Sequence, residues 1–132
     1  FWDLISKRWE GVVRSKGCFW IASRPEQVGA WSQAGGACSA HFKGNWFAST
    51  PQKEWLFQTE EDRERFLKEW DPKFGDRQQE IVLIGRNMDK KKLTDDLDAC
   101  LLTAEELSQG SDFWKEFGDN FAEEEELELA EA

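Results

Sequence analysis

The chain has 132 residues, with 8 Trp and 10 Phe against no Tyr, and a formal net charge of −10. That length fits one domain, and the acidity disfavours a phosphate backbone, which argues against nucleic acid as a partner. No run reaches the ~18 apolar residues that a membrane helix requires.

The charge is unevenly spread. Residues 1–50 hold 6 Lys or Arg against 3 Asp or Glu, and residues 94–132 hold 1 against 14, so the acidity belongs to the C-terminal part. Cys18, Cys38 and Cys100 follow no framework spacing and no signal peptide precedes them, so reduced thiols and a cytoplasmic location are expected. A first residue of Phe rather than Met suggests an excised domain.

In chain order, Phe1, Leu4, Ile5 and Trp9 recur at helical spacing, with Gly11 as the stop. Residues 12–23 are β-branched and aromatic, and Ser15-Lys16-Gly17 inside them predicts a bulge or kink. Arg24-Pro25 ends that strand. Residues 30–42 read as a strand bent at Gly35-Gly36, Lys43-Gly44-Asn45 as a hairpin turn, and Trp46-Phe47-Ala48 as the start of the return strand. Thr59-Glu60-Glu61-Asp62 carries a capping pattern, opening a helix over 59–70 with Phe66, Leu67 and Trp70 inward. Asp71-Pro72 forbids its continuation.

Ile81-Val82-Leu83-Ile84 is the only run of four aliphatic residues in the sequence. Such a run predicts a strand buried on both faces, in the middle of the sheet. Asn87-Met88-Asp89 then caps a helix over 90–102, with Leu93, Leu97, Cys100 and Leu101 on one stripe. Thr103 opens a short helix ending near Gly110, and Ser111 caps another carrying Phe113, Trp114 and Phe117. The segment 122–132 has six acids among eleven residues, which predicts a disordered tail. The reading is therefore one α+β domain over 1–121, a mostly antiparallel sheet with two main helices packed on it as a two-layer sandwich, followed by the tail.

Few residues invite chemistry. Cys38 and His41 are the only metal-capable pair close in sequence, but two ligands cannot complete a four-coordinate zinc site. In a strand they would also point to opposite faces. The reading is no metal site, with these two as the residues to watch. Cys18 and Cys100 sit in apolar patterns and read as inert thiols. Arg14-Ser15-Lys16-Gly17 and Gly75-Asp76-Arg77 set charge beside backbone irregularities. Structural salt bridges or loop hydrogen bonds would explain them, and so would a contact patch for a partner made of Arg14, Lys16, Asp76 and Arg77, with Asp76 paired to a basic neighbour. No pairing of acids argues for catalysis, so the chain reads as non-enzymatic. A free-standing module that binds a small ligand through exposed Trp is the alternative.

The segments RSKGCFW, IASRP, WSQAGG from Trp31, WD with GDRQQEIVLIGR, and LDACLLTAEEL come in an order that resembles the C-terminal domain of the CobW family of GTP-dependent metallochaperones, in particular its zinc-related members. The resemblance spans most of residues 9–110. It implies an α+β sandwich that follows an N-terminal P-loop GTPase domain, with GTP, magnesium and zinc as cofactors of the parent protein. It also implies a role in recognising a client metalloprotein or in relaying nucleotide state, with the chain's own GTPase domain as a partner. Neither G-x-x-x-x-G-K-[ST] nor Cys-x-Cys-Cys occurs here, so no nucleotide or metal residue carries over and no cofactor is expected in this fragment. The histidine-rich tracts of many members are absent, and the acidic tail is not part of the pattern.

Overall fold

A computed structural model of the protein describes residues 1–121. The expectation of a disordered tail over 122–132 lies outside the described residues.

The elements run α1 (Trp2–Ile5), β1 (Val12–Phe19), β2 (Gln27–Ala34), β3 (Ala37–Asn45), α2 (Glu60–Lys68), β4 (Glu80–Gly85), α3 (Lys90–Asp98), α4 (Ala104–Ser108) and α5 (Ser111–Trp114). The four strands form one antiparallel sheet in the order β3-β2-β1-β4, an α+β fold as expected. Caps decide where the helices begin. The Thr59 hydroxyl accepts from the Asp62 N–H, the Asp89 carboxylate accepts from the Lys92 N–H, and Thr103 with Glu106 makes a full capping box. Each satisfies a backbone donor that the first helical turn leaves without a partner. Ser111 does not cap α5 as expected: the helix is preceded by Gly110, with no side-chain cap.

Several expectations are corrected. The hairpin turns at Gly35-Gly36, where Ala34 pairs with Ala37. Gly35 has φ +61°, a value that favours glycine. Lys43-Gly44-Asn45 therefore lies inside β3. Trp46-Phe47-Ala48 is not a return strand, because Phe47–Ser49 forms a 3-10 turn. Its Phe47 and Ala48 N–H groups donate to the Asp76 carboxylate, both at 2.9 Å. Through Gly17, β1 runs as one strand from Val12 to Phe19. A Cβ at residue 17 would lie 1.9 Å from the Glu80 carbonyl oxygen, so glycine is there to let two backbones approach.

The largest correction concerns β4. The aliphatic run does not lie mid-sheet: β4 is an edge strand. Ile81 and Leu83 are half-buried, whereas Val82 is 54% and Ile84 60% exposed. An apolar run signals which side chains could be buried on both faces but carries no information about what lies beside them. Likewise Leu67, expected inward on α2, is 43% exposed, and Leu101 lies past the end of α3 and is 50% exposed.

The chain divides into two compact units. One comprises Phe1–Arg14, Ile21–Pro25 and the described residues from Leu83 to Phe121. There Phe121 and Trp114 are each 7% exposed, and Phe121 meets Trp2 edge to face at 4.7 Å. The Trp114 Nε1–H donates to the Glu106 carbonyl, and Arg24 pairs with Asp119 at 2.8 Å. The other unit comprises Ser15–Trp20 and Glu26–Val82. Its core holds Phe19, Trp31 and Trp46, and beside the 3-10 turn Phe47, Trp55, Phe57, Phe66 and Trp70 form an aromatic cluster with ring centroids 4.9–5.7 Å apart. Rings bury much area per residue, which lets so few residues close a core.

Candidate functional site

Alternation along β1 separates two kinds of residue. Ser15 and Phe19 are buried on one face, and Arg14 and Lys16 are exposed on the other. Ser15 is 2% exposed, donates its hydroxyl to Gln33 Oε1 and accepts from Trp31 Nε1–H, each at 2.8 Å. The RSKG motif is thus a buried polar hub flanked by two outward cations, and only the cations are available to a partner.

The second charged motif is used differently. Both oxygens of Asp76 are taken by the backbone of the 3-10 turn, where a basic partner was expected. The Arg77 Nε–H donates to the Phe74 carbonyl, and its guanidinium lies 5.2 Å from the Trp20 ring centre. Asp76 and Arg77 are half-buried and brace the loop between α2 and β4. Nearby, the Asp71 carboxylate accepts from the Phe74 and Lys73 N–H groups, which hold its pKa below the usual aspartate value. Asp76 and Arg77 are thus engaged within their own loop, whereas Arg14 and Lys16 are exposed.

On β4 the outward residues are Glu80, Val82 and Ile84, with Arg86 one step beyond the strand. The sequence reading missed these as surface residues. The one available signal was the charge at each end of the run, Glu80 and Arg86.

The metal candidates do not form a site. Cys38 pairs with Gln33 and His41 with Ala30 along β3, an odd separation that places the two on opposite faces. Both are exposed, and among the described residues no three His, Cys, Asp or Glu are grouped to hold a metal ion. These residues do not fit a bound zinc. Cys18 and Cys100 are half-buried, and the Cys100 thiol donates to the Asp96 carbonyl at 3.3 Å.

A cleft of about 290 Å³ lies between Gln52, Trp55, Phe57, Gln58 and Arg63. Its walls are mainly polar, and Arg63 is paired with Glu60 at 3.4 Å. None of the eight Trp is exposed: Trp31, Trp46 and Trp114 are buried and the others half-buried. The small-ligand alternative therefore has no fully exposed Trp to serve as its platform. No described helix is long and apolar enough to cross a membrane.

Comparison with known proteins agrees with the order of motifs. A zinc-regulated GTPase metalloprotein activator of Dictyostelium discoideum is 40% identical over 119 residues, which is 89% of this chain and 25% of that protein. A zinc chaperone of Mycobacterium tuberculosis is 30% identical over 114 residues, 86% of this chain and 28% of that protein. The chain thus spans about a quarter of the length of these relatives. No solved structure is significantly similar to it. The sequence profile of the cobalamin synthesis protein cobW C-terminal domain matches residues 1–101. The chain belongs to that CobW C-terminal domain family.

Proposed function

We propose that this chain is the non-catalytic, partner-binding domain of a CobW-type GTPase of zinc homeostasis, acting in the cytoplasm, whose GTPase domain lies outside these 132 residues. The observation that carries the reading is the family match over residues 1–101 on a chain that spans only a quarter of its zinc-related relatives. GTP, magnesium and zinc then act in the parent protein, and the fragment contributes contacts with the GTPase domain and with a client metalloprotein. Arg14 and Lys16 supply those contacts, because they are exposed and stand on a strand whose other face is locked by Ser15 and Phe19. Charged groups on a rigid strand recognise a partner with little loss of entropy. Asp76 and Arg77 keep the neighbouring loop in place.

The test is docking of a separately purified GTPase domain from a zinc-regulated relative. Changing Arg14 and Lys16 together to Ala is expected to weaken docking by roughly tenfold or more. The melting temperature should barely move, since exposed charges contribute only ~0–1 kcal/mol to stability. Unchanged docking by a folded double variant would remove this pair from the proposal.

A further inference from the structure

β4 stands at the end of the sheet beside β1, and among the described residues no strand pairs with its other side. Its polarity can be read from two contacts. The Arg86 N–H donates to the Gly11 carbonyl at 2.8 Å, and the Glu80 carbonyl oxygen lies where a Cβ on Gly17 would be. The backbone groups of 80, 82, 84 and 86 therefore turn toward β1, and by alternation those of Ile81, Leu83 and Gly85 turn to the open side. Natural edges are usually blunted by a Pro, an inward charge or a bulge. Glu80–Gly85 has no Pro, its single charge is at its first residue, and Val82 and Ile84 are more than half exposed on one face.

We propose that β4 pairs with β4 of a second copy of this chain, antiparallel about a two-fold axis at Leu83, to join two sheets into one of eight strands. This goes beyond the domain's role in a GTPase and does not depend on it. Unpaired N–H and C=O groups call for an extended strand, and the side chains on the open face identify which. With Leu83 on the axis, Glu80 lies opposite the partner's Arg86, and Val82 lies opposite the partner's Ile84. Each match occurs twice by symmetry. The outward groups of Ile81, Leu83 and Gly85 meet those of the partner's Gly85, Leu83 and Ile81, which is the hydrogen-bonded pairing of an antiparallel ladder. Moving the axis by two residues to Ile81 or Gly85 destroys both ion pairs, and a parallel arrangement sets like charges near each other. A self-complementary patch of this kind is the mark of an isologous two-fold contact.

Sedimentation equilibrium of the purified chain tests the pairing, with hydrogen exchange at Ile81, Leu83 and Gly85 as an independent readout. A concentration-dependent dimer is expected, with those three amides protected in proportion to it. Glu80→Arg turns two cross-strand ion pairs into two like-charge pairs and should raise the dissociation constant by roughly tenfold or more. Glu80→Arg with Arg86→Glu restores the match with the signs exchanged and should restore the dimer. The proposal is overturned by a chain that stays monomeric, or by a dimer indifferent to the single reversal. Failure of the paired reversal to recover association in a folded protein would also overturn it. Protection of the three amides in the monomer would assign the edge to another segment and equally exclude the second copy. If Glu80→Arg does not fold, the exchange measurement on the unaltered chain still decides.

Discussion

Replacing Asp76 with Ala should unfold the protein at a markedly lower temperature, although this residue lies in a loop. Its two oxygens accept the Phe47 and Ala48 N–H groups at 2.9 Å, in a half-buried position. A hydrogen bond to a charged group contributes about 1.5–3 kcal/mol, and half-burial favours the lower end because water can replace part of the loss. Two such bonds give about 3 kcal/mol. With an unfolding entropy of roughly 2.1 cal/mol/K per residue, that loss corresponds to a fall in melting temperature of about 10 °C for a chain of this size. Differential scanning calorimetry on the wild type, Asp76→Ala and Asp76→Asn is the assay. The Asn variant keeps one acceptor oxygen but turns an NH2 toward the second donor, so it should recover at most part of the loss. A fall of less than ~3 °C for Asp76→Ala, under about 1 kcal/mol, would refute the structural role. Asp76 would then return to the contact patch with Arg14 and Lys16.

Two further outcomes follow from the packing and the charge. Phe121→Ala, or a chain stopped at Asn120, removes a ring that is 7% exposed and set edge to face on Trp2. Chemical denaturation should show a loss on the order of 3 kcal/mol. Asp71, with its carboxylate held by the Phe74 and Lys73 N–H groups, should titrate by NMR below the usual aspartate range. Because its folded pKa is depressed, its stabilising contribution is present above the unfolded pKa and is lost as pH falls through the folded one. An ordinary titration, or one shifted upward, would mean those two hydrogen bonds are not kept in solution.

Local features were legible in the sequence because they rest on interactions a few residues apart. Thr59, Asp89 and Thr103 announce helix starts through bonds to residues three positions on, and the α+β class follows from alternating strand and helix patterns. The family could also be read, since the order of its motifs is itself a property of the sequence. The opposite faces of Cys38 and His41 followed from the period of a strand, without any knowledge of its neighbours.

What the tertiary structure decided is the partner of each group. Ser15, in a motif full of charge, is the most deeply buried polar residue because Trp31 and Gln33 arrive from β2 to satisfy its hydroxyl. Asp76 became a cap for a turn 28 residues earlier in the chain, a distance at which no local pattern operates. Gly17 and Gly35 carry the same letter, but one admits a neighbouring backbone and the other turns a hairpin. The aliphatic run of β4 shows the limit most plainly. Hydrophobicity states what a strand can afford to bury, while strand order determines what is beside it, and here that order leaves Val82 and Ile84 more than half exposed on the last strand of the sheet.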